Sequence, residues 1–220
     1  MCFSATDSFA SAAIVGVAGI ASIKNAERKE EKYFASIPLI FAMQQLVEGF
    51  VWLSFNSEIV PDWQSFSIKA FLFFATVVWP LIVPLTVWKM EESSIRRKLL
   101  FGIFIAGIIF SLGSLSFMFI YPSNATISEK HVYYQLYYPL RDSLVVSILY
   151  LGTTVFSLLL STRKWVPVLG VLIFASYLVS RFYFEDHVIS VWCFFAAIMS
   201  VIIYLVMSGR LKGFKTEKQV

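Results

Sequence analysis

The sequence predicts an all-α integral membrane protein, a single bundle of seven transmembrane helices. Of its 220 residues, 58% are hydrophobic and 15% are charged, whereas a soluble domain carries about 25% charged residues. The charges lie in short clusters between long apolar runs, which is typical of a chain that crosses the membrane several times. The first apolar run has no basic residues before it and no small-residue cleavage site after it, so we expect a retained span rather than a signal peptide.

Seven apolar segments have about the length of a transmembrane helix. Crossing about 30 Å of hydrocarbon takes about 20 helical residues, and backbone polar groups in lipid must be satisfied within each segment. The predicted spans cover residues 8–23, 33–55, 66–88, 99–120, 143–160, 165–183 and 188–207. They form one domain, with residues 208–220 as a basic cytoplasmic tail.

Most basic residues lie on one side of this bundle. Fourteen of the 18 lysines and arginines fall after spans 1, 3 and 5 or in the tail, and the others are Lys69, Lys130, Arg141 and Arg181. Because cytoplasmic connections carry an excess of Lys and Arg, we expect the N-terminus outside and the C-terminus in the cytoplasm. The basic residues form no continuous exposed face, so the net charge of +4 does not indicate nucleic-acid binding.

The longest connection, residues 121–142, is expected on the outer surface. Tyr133, Tyr134, Tyr137 and Tyr138 recur at spacings of one, three and four residues, which predicts a short helix lying in the membrane interface. Tyrosine favours the headgroup zone because its ring is apolar and its hydroxyl polar. The simplest interpretation is a cap that lies against the membrane.

Two short apolar motifs occur twice and suggest an internal repeat. Leu-Ile-Phe-Ala at residues 39–42 recurs at 172–175, and Phe-Phe-Ala at 73–75 recurs at 194–196. Both pairs have the same orientation, which favours parallel repeats of spans 1–3 and 5–7 joined by span 4, a 3+1+3 arrangement of a kind used by transporters. The alternative is coincidence, because the chain is rich in these residue types.

Span 2 carries the most polar segment of the predicted bundle. Gln44, Glu48 and Trp52 lie four residues apart and share one helix face, with Gln45 beside them. Glu48 lies about 10 Å below the outer end of the span, where a lone carboxylate takes up a proton or finds a partner. Two interpretations stay open: a protonatable residue that binds a ligand or ion, or a structural clamp between helices, with Gly49 allowing close approach.

Other reactive or charged side chains also fall in the outer half. Arg181 ends span 6, where it either extends to the headgroups or pairs with Glu48. His187 is an interfacial residue, a metal ligand or a pH sensor. Cys2 and Cys193 form a disulfide, share a soft metal ion with His187, or stay separate packed thiols.

Pro80 and Pro84 interrupt span 3 beside Trp79. Proline removes backbone hydrogen bonds and kinks a helix, which opens a cavity or a hinge. Transmembrane helices also tolerate proline for purely structural reasons.

Three stretches resemble an uncharacterised bacterial family of multi-pass membrane proteins whose members begin Met-Cys-Phe-Ser. They are MCFSAT at residues 1–6, FAMQQLVEGFVW at 41–52 and SVWCFFAA at 190–197. The resemblance carries no known activity or cofactor and implies a bacterial inner membrane location. It also implies that the shared motif residues assemble into one outer site: Cys2, Ser4, Gln44, Gln45, Glu48, Trp52, Trp192 and Cys193.

The leading functional hypothesis is an outward-opening polar pocket lined by spans 2, 3, 6 and 7. It binds or transports a small solute or a lipid headgroup, with Glu48 as a protonatable anchor, Gln44 and Gln45 orienting the ligand and Arg181 balancing charge. One alternative is an outer-leaflet enzyme with a metal or redox site. Its residues are Cys2, His187 and Cys193. Another is a structural or partner-binding subunit with a closed bundle, and the oligomeric state is open.

Overall fold

The computed structural model describes residues 4–56, 61–128, 131–138, 143–183 and 188–211, without the side chains of residues 56, 61, 62, 193, 194, 196 and 197. In chain order its helices are α1 Ala5–Asn25, α2 Lys29–Ala35, α3 Ile37–Asn56, α4 Pro61–Phe73, α5 Trp79–Met90, α6 Ser94–Ile120, α7 Leu144–Leu151, α8 Ser157–Leu159, α9 Trp165–Tyr183 and α10 Val188–Met207. Two π-helical turns, π1 Phe74–Val78 and π2 Gly152–Phe156, join α4 to α5 and α7 to α8.

Five helices in the described part of the chain, rather than the predicted seven, are long and apolar enough to cross a membrane. They cover Ala5–Asn25, Lys29–Phe55, Trp63–Met90, Ser94–Ile120 and Trp165–Tyr183. The fifth and seventh predicted segments are also helical, but their described apolar stretches, Leu144–Leu159 and Ile198–Met207, are shorter. The bundle itself is therefore all-α, and its five long apolar helices indicate an integral membrane protein.

The exposed surface of the helices agrees with a lipid environment. Helix α6 exposes Ile95, Ile109 and Phe119 by 73%, 67% and 79%, and α1 exposes Val17 by 70%. A soluble monomer rarely leaves so continuous an apolar face open to water.

A β-hairpin replaces the interfacial helix predicted within residues 121–142, so that prediction was wrong. Strands β1 Ser123–Ser128 and β2 His131–Leu136 pair antiparallel. Alternation explains the result: Val132 and Tyr134 are buried while Tyr133 between them is less so, as the period of a strand requires. The Tyr134 ring stacks on Phe71 of α4 at 4.6 Å, so the hairpin covers one end of the bundle, which we call the hairpin end.

The basic connections meet at the opposite end, which we call the basic end. Arg28, before α2, and Arg163, before α9, both contact the Glu92 carboxylate at 2.6 Å. Glu91 accepts hydrogen bonds from both the backbone N–H and the hydroxyl of Thr162, each at 2.8 Å. The hydrogen bond from Arg28, followed by the charge of Arg163, lowers the pKa of Glu92 below its usual value. Three connections are thus tied together.

Close helix packing depends on small residues. Helix α1 packs along α3 more extensively than any other helix pair in the described chain. Gly49 of α3 lies against the Phe9 ring of α1, and Gly107 of α6 lies against the carbonyl oxygen of Pro80. A methyl group at either position would overlap its neighbour, as expected where backbones approach closely in a membrane bundle. The role predicted for Gly49 fits this contact.

Candidate functional site

The polar residues of α3 face the interior of the bundle. Gln44, Gln45 and Glu48 are all 0% exposed, and Trp52 is 6% exposed. Their neighbours Met43 and Leu46 point outwards, with 53% and 45% of their surface exposed. The spacing read from the sequence therefore gives one polar stripe, and that stripe is enclosed by other helices.

Glu48 joins α3 to α10. The Ser190 hydroxyl of α10 donates a hydrogen bond to Oε1 of Glu48 at 3.0 Å, and Nε2 of Gln45 donates to Oε2 at 3.0 Å. Both carboxylate oxygens therefore have a neutral donor. A fully buried acidic group is costly in a membrane, and these hydrogen bonds offset part of that cost.

Gln44 is held from the other side by α5. Nε1 of Trp79 donates to Oε1 of Gln44 at 2.7 Å, and the Trp79 ring stacks on Phe41 with 3.8 Å between ring centroids. The amide is thereby fixed in orientation, and the indole becomes a wall shared by the polar stripe and the interior of the bundle.

The π1 turn before Trp79 leaves one carbonyl without a backbone donor. In a π-helical turn each carbonyl accepts from the residue five positions later, and for Ala75 that residue is Pro80, which has no N–H. The Tyr150 hydroxyl of α7 donates to the Ala75 carbonyl at 2.7 Å. A side chain from a neighbouring helix thus supplies the missing donor, as membrane helices with internal proline require.

Three buried polar atoms around Glu48 have no hydrogen-bond partner among the described residues. They are Oε1 of Gln45, Nε1 of Trp52 and Oγ of Ser8 in α1. Ser8 precedes Phe9, whose ring contacts Gly49, so it lies at the level of the α3 stripe. Leaving such a group unpaired costs about 1–3 kcal/mol, and three such groups at this level of the bundle need an explanation.

A cavity of about 70 Å³ lies next to this stripe. Its lining is almost entirely apolar and includes Phe41, Trp79, Tyr150, Trp192 and Ile203. Helices of predicted spans 2, 3, 5, 6 and 7 contribute to it. Gln44, Gln45 and Glu48 do not line it, so polar stripe and apolar cavity are adjacent but separate.

The model of one protein family matches residues 1–218, nearly the whole chain. The chain belongs to DUF6629, a family of unknown function. This agrees with the resemblance to an uncharacterised family that rests on motifs at both ends and in span 2. No curated protein and no solved structure matches the chain.

The remaining site residues predicted for this DUF6629 protein lie apart from the stripe or outside the described residues. Ser4 caps α1, where its hydroxyl accepts from the N–H of Asp7 at 3.1 Å. Arg181 is exposed near the hairpin end of α9. Cys2, His187 and the side chain of Cys193 lie outside the described residues, and those that are described hold no group of three or more metal-ligating side chains. The metal or redox site stays a prediction.

Two residues of the candidate site, Ser190 and Tyr150, were not predicted from the sequence. Ser190 opens the SVWCFFAA motif, but serine is common in apolar helices and its contact with Glu48 spans 142 positions. Tyr150 sits in a run of apolar residues with no local signal for its role. The one available signal was Pro80, because a proline within a span leaves a backbone carbonyl that needs a hydrogen-bond donor from another helix.

Proposed function

We propose that this DUF6629 protein binds a small polar ligand, either a free solute or a lipid headgroup, at the cluster of Gln45, Glu48, Trp52 and Ser190. The observation that carries the proposal is the pair of unsatisfied atoms on either side of Glu48, an acceptor at Gln45 Oε1 and a donor at Trp52 Nε1. A ligand that satisfies both removes two penalties of about 1–3 kcal/mol each.

The positions of these two residues on α3 indicate the chemistry of the ligand. Gln45 and Trp52 are seven residues apart on α3, about 10 Å along the helix. The ligand therefore needs a donor at one position and an acceptor at another, which several hydroxyl groups on one small molecule provide. Glu48 is the central anchor, Gln44 is held in place by Trp79, and Arg181 supplies positive charge at the outer entrance.

The same proposal includes a topology with the N-terminus outside and the C-terminus in the cytoplasm of a bacterial inner membrane. Basic connections gather at one end around Glu92, as cytoplasmic connections do. The two shorter apolar helices complete a seven-span bundle: α8 ends next to Thr162 at the basic end, while α7 follows the hairpin. The repeated motifs supply little support for parallel repeats, since Phe41 is 8% exposed and its counterpart Phe174 is 41% exposed.

Substitution at Glu48 tests ligand binding directly. Glucose is the first solute and phosphatidylglycerol the first lipid to titrate against purified protein, with bound mass measured by native mass spectrometry. Glu48→Gln should weaken binding about 10- to 100-fold, the range expected for loss of a charged hydrogen-bond acceptor. Trp52→Phe, which keeps an aromatic ring but removes the indole N–H, should weaken it as well.

A structural clamp is the second candidate, and one observation favours it. Both oxygens of Glu48 already accept hydrogen bonds from Gln45 and Ser190, which ties α3 to α10 without any ligand. In that case Glu48→Gln lowers the unfolding temperature, Trp52→Phe does not, and neither variant changes the bound mass of any solute or lipid tested. If glucose does bind, its uptake into proteoliposomes shows whether the protein also transports it.

A further inference from the structure

The apolar cavity has no side-chain N–H or O–H donor left to offer among its lining residues. Four of its lining residues carry a polar group, and each donates to the protein itself: Trp79 to Gln44, Tyr150 to Ala75, Thr154 to the Tyr150 carbonyl and Trp192 to the Ile173 carbonyl. A water molecule needs two to four polar partners. A hydrocarbon group needs none.

The size of the cavity restricts its occupant further. An apolar cavity of about 150 Å³ stays dry and accepts a benzene ring, and this cavity is about 70 Å³. It is too small for a ring of that kind and large enough for a few carbon atoms at the end of a chain. Met199 in the wall adds adaptability, because methionine is flexible and fills irregular gaps.

The cavity lies where the chain of an amphipathic ligand would reach. Phe41 in its wall is seven residues from Glu48, about 10 Å along α3 towards the basic end. The indole of Trp79 borders both regions: its N–H holds Gln44, and its ring lines the cavity. A molecule with its polar end at the stripe therefore runs from the hairpin end towards the middle of the bundle, as a lipid of the outer leaflet does.

Both helices with a π-helical turn contribute to this wall. Thr154 lies in π2, and Trp79 directly follows π1. Single π-helical turns occur frequently at functional sites. Here they coincide with the place where three elements, α3, α5 and α7, leave space unfilled.

We propose that the cavity holds the end of one hydrocarbon chain of a membrane lipid whose polar end binds at Gln45, Glu48 and Trp52. This inference rests on the proposed function for the polar end only. The tail site depends on the dry lining, the volume and the shared border at Trp79.

A photoreactive lipid tests the tail site. The probe is phosphatidylglycerol with a diazirine at the last carbon of one acyl chain, mixed into nanodiscs of unlabelled phosphatidylglycerol that contain the full-length protein. After illumination, peptide mass mapping should find label on cavity residues such as Val83 and Thr154. The same lipid with its diazirine beside the ester carbonyl should not label them.

A cavity-filling variant and a matched control make the result specific. Ile203→Phe fills the space from α10, where Ile203 is 5% exposed, whereas Ile198→Phe places the same ring on the outer surface, where Ile198 is 44% exposed. Ile203→Phe should lower labelling of Val83 and Thr154 roughly tenfold, as expected when about two methylene groups lose an apolar site. Ile198→Phe should leave it unchanged.

The inference is overturned if label in the wild type is confined to outward-facing residues such as Val171 and Ile198. It is also overturned if cavity labelling persists in an Ile203→Phe protein that unfolds at the wild-type temperature. Should Ile203→Phe not fold, Val83→Leu fills the same cavity more gently. If Glu48→Gln changes neither the cavity labelling nor the bound mass of phosphatidylglycerol, the polar site is refuted and the tail site stands.

Discussion

Replacement of Tyr150 by phenylalanine should destabilise the bundle by about 1–3 kcal/mol. The substitution removes the hydroxyl that donates to the Ala75 carbonyl at 2.7 Å, and Ala75 is only 6% exposed. An unsatisfied buried acceptor accounts for the stated cost. The ring is kept, so its edge contacts with Phe110 and Trp192 stay in place.

Tyr177→Phe is the matched control. Tyr177 also meets the Trp192 ring edge-on, at 5.3 Å compared with 5.7 Å for Tyr150. Removal of its hydroxyl should change the free energy of unfolding by under about 0.5 kcal/mol, as for a surface substitution. Unfolding by titration with sodium dodecyl sulfate in mixed micelles, followed by tryptophan fluorescence, measures both variants.

A double-mutant cycle with Pro80→Ala tests the cause. Alanine restores an N–H at position 80, which can donate to the Ala75 carbonyl in place of the tyrosine. Tyr150→Phe should therefore cost less in the Pro80→Ala background, with a coupling of about 0.5–3 kcal/mol. Equal losses for Tyr150→Phe and Tyr177→Phe, or purely additive effects with Pro80→Ala, would refute the reasoning.

Three further predictions concern packing, the carboxylate cluster and the basic end. Gly107→Ala should lower the unfolding temperature because its methyl group meets a proline carbonyl, whereas Gly102→Ala, with nothing within 4 Å, should not. Ser190→Ala removes a donor to the buried carboxylate and should cost about 1.5–3 kcal/mol, more than Ser180→Ala, whose hydroxyl donates to the Ser176 carbonyl of its own helix. The pKa of Glu92 is lowered on folding, so its contribution is present near neutral pH and is lost as the pH falls through that pKa. In Glu92→Gln the free energy of unfolding should fall less at acid pH than in the wild type. The difference should be under about 1 kcal/mol because the group is half exposed.

Span 2 was the most predictable part of the site. Its stripe follows from helical spacing alone, and a glutamate in an apolar helix has to be enclosed. Its partners were not predictable, because Ser190 and Trp79 reach Glu48 and Gln44 only through the packing of α10 and α5. One sequence contains no signal that orders helices around a bundle.

The connection at residues 121–142 shows the limit of periodicity. The tyrosine spacing fits one turn of helix, but Val132 and Tyr134 also fit the alternation of a strand. Over six residues the two periods are hard to separate, and the structure shows a strand that pairs with β1 and stacks Tyr134 on Phe71. The predicted helix lengths, drawn from hydropathy, were closer to the structure: α9 has the predicted bounds, and α6 begins at Ser94, five residues before the predicted span.

The junction at Glu92 has a mechanical consequence. One carboxylate holds arginines from two other connections, and the adjacent Glu91 holds a third contact through Thr162. These contacts link the connections that precede α2, α6 and α9, so the starts of these helices are restrained relative to one another. A ligand that binds at Glu48 as proposed would enter from the opposite end, where the hairpin packs on the bundle through an apolar cluster that includes Val132, Tyr134 and Phe71.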